Sequence, residues 1–289
     1  MAAPQALVDA NANNQNTMEP EKDFPHSLPL LTRLRLRFTD DIDSKWADII
    51  LLGCFYTTGM VDAIAFNTWS CFVGMQTGNT IFAGLGVSHL PDNVPRYTWT
   101  KSLVAILSFC CGALFFSRWH RTFGPLKRWV IMSSFFIQTS FMIITASLIS
   151  ARVVAKTEET ADAGTSDMTS QFPWHELCPI ALLAFQSAGQ IVAGRMLKYN
   201  ALPTVVLTSL FCDLMSDPDL FTAGLLQDPD RNRRFMGAVL LFAGATVSGA
   251  LVKTSIGYSG ALWIATGVKG AMVLAWLVWN PKRSPKGQR

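Results

Sequence analysis

Six runs along this chain consist almost entirely of apolar residues: 46–66, 102–118, 129–150, 177–194, 235–252 and 257–279. Each reaches or approaches the about 20 residues that a helix needs to cross about 30 Å of hydrocarbon. Two further runs, 70–88 and 201–216, are apolar but interrupted. The first carries Gly74, Gly78, Gly84 and Gly86 together with Gln76, Thr77, Asn79 and Thr80; the second begins at Pro203 and meets Asp213 after a short apolar stretch. Tryptophans 46, 69, 119, 129, 174, 276 and 279 fall at the ends of runs, as an interfacial aromatic belt does. The pattern predicts an all-α polytopic integral membrane protein with about six crossing helices and two short or broken ones.

Composition agrees. Half of the 289 residues are hydrophobic and only 15% are charged, against about a quarter charged in a soluble domain. The charges cluster at the termini and between the runs, so the net charge of +4 reflects membrane topology and not a nucleic-acid surface. Residues 1–31 form a polar, Asn- and Pro-containing tail without the basic start and apolar core of a signal peptide; we read this tail as disordered and cytosolic. Residues 32–150 and 177–280 are two membrane segments, separated by an acidic soluble loop at 151–176 and followed by a basic tail at 281–289. The six cysteines, 54, 71, 110, 111, 178 and 212, lie in or beside apolar runs without metal-ligand spacing. They read as small buried hydrophobes.

The interrupted runs occupy matching places in the two segments. Val61-Asp62-Ala63 aligns with Gln186-Ser187-Ala188, Thr77–Thr80 with Thr208–Phe211, and Ala105–Phe109 with Ala238–Phe242. The offsets drift slowly in one direction, as in a diverged internal duplication. Crossing number follows from the 24 Lys and Arg residues. With six crossings and cytosolic termini, 18 lie inside and five outside; with eight crossings the division is 16 to seven. The positive-inside rule favours six, which makes the second segment inverted relative to the first.

Inverted repeats with a broken helix in each half are a transporter design, because half-helix ends expose backbone groups near the membrane midplane. Thr77, Gly78, Asn79 and Thr80 offer such a break, with Gly78 where the chain leaves regular geometry or another backbone packs close. Pro203, Thr204, Thr208 and Ser209 offer its counterpart. The alternative is small-residue helix packing with hydroxyls bonded to their own helix. Asp62 lies inside the first run, about a turn from its end. An intramembrane carboxylate faces a cavity or a partner, so Asp62 is either a proton carrier or a structural hydrogen bonder. Lys269, within Ala265–Val273, either pairs with Asp62, meets an anionic solute or snorkels to an interface. Gln186 and Gln190 share a helical face and either line the same cavity or join helices. No catalytic motif is present: the histidines lie in tails or loops, and neither Gly-x-Ser-x-Gly, His-Glu-x-x-His nor a phosphate-binding glycine loop occurs.

Gly59-Met60-Val61-Asp62-Ala63 followed by Thr77-Gly78-Asn79-Thr80, then Phe185-Gln186-Ser187-Ala188 followed by Pro203–Ser209, resembles the YoaK-like family of multi-span membrane proteins. The resemblance covers about residues 45–280 and is carried in the first half by Gly59, Asp62, Ala63, Thr77, Gly78 and Asn79. In the second half Ser187 stands where the family has Asn, and Ser209 where it has Gly. The resemblance implies the fold and no particular activity.

The resulting expectation is a secondary transporter of an unidentified small solute, coupled to protons through Asp62. Its substrate or ion site would draw on Asp62, Thr77, Gly78, Asn79, Thr80, Gln186, Thr204, Thr208 and Lys269. The alternative is a non-transporting membrane scaffold or assembly factor; a membrane enzyme is a weaker third. The expected partners are the lipid bilayer and the solute, with no nucleic acid, no metal and no cofactor. The oligomeric state is open.

Overall fold

The computed structural model describes residues 32, 37–88, 99–151, 174–199 and 202–281 apart from 203, 205, 223, 225 and 226. The predicted tail at 1–31, residues 152–173 of the predicted loop, residues 282–289 and Pro203 lie outside the described residues. Helix α1 spans Asp48–Trp69, α2 Gln76–Val87, α3 Trp99–Phe123 and α4 Arg128–Ser150. After a 3-10 turn at Trp174–Glu176 come α5 Leu177–Met196, α6 Leu207–Met215, α7 Pro229–Val252 and α8 Gly257–Val278. Among the described residues there are only isolated β-bridges, Asp41 with Lys127 and Ile42 with Pro281.

Six of these helices are long and apolar enough to cross a membrane, and the chain is a multi-pass integral membrane protein. The other two are α2, with 12 residues, and α6, with nine. At 1.5 Å per residue they reach about 18 Å and about 14 Å, short of the about 30 Å of a hydrocarbon core. Helices also outrun their apolar cores. α7 starts at Pro229, six residues before its apolar run, because the Asp228 carboxylate accepts from the backbone N–H groups of Asp230 and Arg231, both at 3.0 Å. Proline at the first helical position gives up no hydrogen bond.

Contacts at the two ends fix the direction of each crossing helix. At the end where α1 terminates, Asn67 donates to Tyr258 of α8 at 2.7 Å, and Ser150 of α4 bonds Ser259 at 2.6 Å. There too Lys101 of α3 forms an ion pair with Glu176, just before α5. At the opposite end, Asp48 of α1 pairs with Arg233 of α7 at 2.7 Å, and the Tyr199 hydroxyl after α5 donates to the Ser44 carbonyl at 2.8 Å. The same end carries Ile42 N–H on the Leu126 carbonyl at 2.9 Å and Asp43 N–H on the Asn280 carbonyl at 3.1 Å. Helices α1, α4 and α7 therefore run one way, and α3, α5 and α8 the other. We call the two ends the Trp69 face and the Asp48 face.

Two helix pairs dominate the packing: α1 lies along α7, and α3 along α5. Both are backbone-to-backbone contacts that only glycine permits. A Cβ at Gly59 would lie 2.0 Å from the Leu241 carbonyl oxygen, one at Gly244 2.1 Å from that of Tyr56, and one at Gly112 2.4 Å from that of Phe185. Removing the side chain lets the helices approach until dispersion replaces the hydrophobic drive that lipid cannot supply. The α1 core then divides in two. Toward the Trp69 face, Met60, Val61, Ile64 and Trp69 pack with residues of α3, α4, α5 and α8. Toward the Asp48 face, Ile50, Leu51, Cys54 and Phe55 pack with residues of α4, α5, α7 and α8. A belt of polar side chains lies between these two clusters.

Candidate functional site

The polar belt begins with α1. Thr57 and Thr58 sit near the middle of its 22 residues, and Asp62 follows one turn later. Because α1 continues to Trp69, Asp62 lies seven residues from the helix end, about 10 Å deep, not the single turn expected from the apolar run. All three side chains are buried. The two hydroxyls are grounded in their own helix, donating to the Cys54 carbonyl at 3.1 Å from Thr57 and 2.8 Å from Thr58.

The break that follows α1 lies at 70–75, ahead of the Thr77–Thr80 motif and not within it. Ser70 closes α1 in a left-handed conformation, φ 56°, and its N–H bonds back to the Phe66 carbonyl at 2.9 Å. The chain then folds back along α1 until Val73 and Gly74 reach the level of Asp62. One Asp62 oxygen, Oδ1, accepts from the N–H groups of both, each at 2.8 Å. From there α2 climbs toward the start of α3, where Gly86 meets the Trp99 side chain. Asp62 thus places a carboxylate beside the N-terminal end of a half-helix, where free N–H groups and the helix dipole favour negative charge.

Asn79 holds the same break from the other side. It is fully buried; its Oδ1 accepts from the Phe72 N–H at 2.9 Å, and its Nδ2 donates to the Phe72 carbonyl at 2.6 Å and to Gln76 Oε1 at 2.9 Å. Gly78 is an ordinary helical residue of α2; the Phe72 ring, not a backbone, lies 3.0 Å from where its Cβ would be. Thr77 and Thr80 are exposed, and Thr80 donates to the Gln76 carbonyl at 2.9 Å in its own helix. The motif's buried member builds the break; its two hydroxyls face away from the polar belt.

Across the belt, α5 contributes Gln186, Ser187 and Gln190, all buried. Ser187 lies 2.9 Å from both the Val73 and the Ala184 carbonyls. Gln190 donates through Nε2 to the Thr58 hydroxyl and accepts through Oε1 from Lys269 Nζ at 2.6 Å. Lys269 is buried at 1% exposure, with its ammonium 5.3 Å from the centre of the Phe135 ring. It neither snorkels nor pairs with Asp62; Gln190 and Thr58 stand between them.

Thr57, Thr58, Asp62, Val73, Gly74, Gln186, Ser187 and Gln190, with Val61 and Met142, line a small chamber. It leaves about 10 Å³ for the centre of a water-sized sphere, room for about one water molecule. Asp62 Oδ2 and Gln186 Oε1 have no hydrogen-bond partner although both are buried. Of the expected site residues, Asp62 and Gln186 line this chamber, Asn79 braces its loop, and Lys269 reaches its wall through Gln190. Thr204 is buried, with its hydroxyl unpartnered, but is not on the lining; Thr208 is exposed. Among the described residues, the second interrupted run therefore adds nothing to the lining. Thr57, Thr58 and Ser187 join the site without having been singled out for it, and adjacent threonines at the centre of an apolar span were the available signal.

The model for the family "Protein of unknown function (DUF1275)" matches residues 50–275. The chain belongs to this family. YoaK-like proteins are members of it and are multi-span membrane proteins, so the resemblance read from Asp62 and Thr77–Asn79 holds. The match starts within α1 and ends within α8, taking in both breaks and the chamber. No curated protein and no solved structure matches the chain.

Proposed function

We propose that this DUF1275 protein is a secondary transporter of a small solute, with the Asp62 chamber as its coupling site. The carrying observation is the combination of a carboxylate with one unpartnered oxygen, a re-entrant break and a small polar chamber set beside the apolar cluster of the Trp69 face. Scaffolds gain nothing from an unsatisfied buried carboxylate oxygen, which is costly in a membrane interior. A transporter gains a group that a proton or ion can reach.

The arrangement of the two halves supports the same reading. Each half runs long, short, long, long, and the three crossing helices of one run opposite to their counterparts. Gly112 on Phe185 has its counterpart in Gly244 on Tyr56, and Lys101 with Glu176 has its counterpart in Arg233 with Asp48. We read these as marks of a duplicated, inverted repeat, the architecture in which one half rocks against the other around a fixed central site. By the positive-inside distribution, the Asp48 face and both termini are cytosolic.

Reconstituted vesicles test the proposal. A pH-sensitive dye inside them reports proton movement as amino acids, sugars, nucleobases and small organic acids are added outside, and labelled versions of the same compounds report net uptake. Uptake that needs the protein and fails with Asp62→Asn at equal reconstitution supports transport. Vesicles that move none of these compounds leave the scaffold reading in place.

A further inference from the structure

The lining of the chamber is unbalanced in a way that specifies an occupant. The Thr57, Thr58 and Ser187 hydroxyls have backbone carbonyls to donate to, and Gln190 Nε2 donates to Thr58. The Val73 and Gly74 N–H groups are taken by Asp62 Oδ1. Of the fully buried side-chain polar atoms on the lining, those left without a partner are both acceptors, Asp62 Oδ2 and Gln186 Oε1. Both named oxygens belong to side chains that are 97% buried. Two buried acceptors without a donor are expensive to leave empty, so the occupant is a donor or a cation. With one carboxylate and neither His nor Cys on the lining, the charge and the hard oxygen ligands suit a monovalent metal ion better than a divalent transition metal.

We infer that the chamber is a binding site for one sodium-sized monovalent cation, with Asp62 Oδ2 and Gln186 Oε1 among its ligands. This rests on the transport reading for its purpose, since the bound cation would be the coupling ion. Its size limits the occupant: about 10 Å³ admits one water or one small cation and no organic solute. Its position gives binding a mechanical consequence. Asp62 and Ser187 hold the two sides of Val73, so a cation that draws on Asp62 Oδ2 acts on the carboxylate that fixes the re-entrant break to α1.

Thermal unfolding of the purified full-length protein in detergent tests this, in NaCl, KCl or choline chloride at one ionic strength and one pH. Ligand binding to the folded state alone raises the midpoint, by something on the order of 5 °C at a hundredfold excess over the dissociation constant. Sodium should produce a saturable rise that potassium and choline do not match, and the rise should disappear in Asp62→Asn and shrink in Gln186→Met. If Asp62→Asn does not purify, Gln186→Met decides, because it removes a ligand oxygen and leaves the Val73 and Gly74 bonds in place. Equal midpoints in all three salts mean that a water fills the chamber and overturn the inference; so does a sodium response that survives both variants. Binding is read here without flux. A sodium response in a protein that moves no solute would keep the site and sink the transport reading, and solute flux without a sodium response would do the reverse.

Discussion

Asp62 on α1 and Ser187 on α5 grip one residue, Val73, from opposite sides: the carboxylate accepts from its N–H at 2.8 Å, and the serine hydroxyl lies 2.9 Å from its carbonyl. These are the two positions that align when the halves of the sequence are compared. Ser187 thereby fastens the re-entrant break to the second half. Asp62 has two jobs that substitution separates. Asn retains an acceptor for the Val73 and Gly74 N–H groups, whereas Ala leaves both buried donors bare at about 1–3 kcal/mol each. Thermal unfolding should rank wild type and Asp62→Asn close together with Asp62→Ala well below, while solute uptake is lost in both. Equal unfolding of the Asn and Ala proteins would remove Asp62 as the anchor of the break.

Asn79 should behave as a structural residue. Asn79→Ala strips the Phe72 N–H and carbonyl of their partners and frees Gln76 Oε1, so membrane abundance and unfolding temperature both fall. Thr77→Ala and Thr80→Ala change exposed positions and should stay within about 0.5 kcal/mol of wild type. Immunoblotting of membranes and scanning fluorimetry check the pair. An abundant, stable Asn79→Ala protein that has lost only activity would move Asn79 into the binding site.

The architecture was legible in the sequence because crossing a membrane leaves a composition signal that survives without partners. All six long runs became helices, and the glycine and polar interruptions at 70–88 and 201–216 marked helices too short to span. Helix ends were less legible. Val252 closes α7 where its apolar run stops, but Pro229 opens it six residues early on an Asp228 cap outside the apolar pattern. At the site, Asp62 announced itself by cost. The direction of Asn79 did not, since an asparagine two residues after Thr77 reads the same whether it faces a solute or the Phe72 peptide. Thr57 and Thr58 were hidden because a threonine in a span bonds its own helix by default.

Glycine placement makes a third prediction. Gly59→Leu and Gly244→Leu drive a side chain into carbonyl oxygens 2.0 Å and 2.1 Å from the Cβ position, so α1 cannot seat on α7 and the protein should be absent from membranes or aggregated in detergent. Gly249 and Gly267 have nothing within 4 Å of a Cβ; Gly249→Ala and Gly267→Ala should express normally. Size-exclusion profiles of the four proteins show whether the line falls there.

Two of the ion pairs between segments sit at opposite faces, Lys101 with Glu176 at the Trp69 face and Asp48 with Arg233 at the Asp48 face. The first pair is almost wholly buried, and breaking a buried pair by removing one partner costs about 3–5 kcal/mol. The second is more exposed, with 26% and 13% of its side chains accessible, and should cost less. Glu176→Gln should therefore lower the unfolding temperature more than Arg233→Gln. Combined with Lys101→Gln, Glu176→Gln should recover part of the loss, because the Lys101 charge is then removed together with its partner. Unfolding curves of the single and double variants form the cycle that measures this coupling.

Access to the chamber tests the central claim without knowledge of the solute. Thr57 lines the chamber and is buried; in a background with all six native cysteines replaced, Thr57→Cys reports whether water reaches it. An impermeant thiol reagent is applied to sealed vesicles from one face at a time. The account predicts slow labelling from each face, accelerated from the Trp69 face by Glu176→Gln and from the Asp48 face by Arg233→Gln. A cysteine at position 57 that stays unlabelled from both faces, in the parent and in both ion-pair variants, would contradict it.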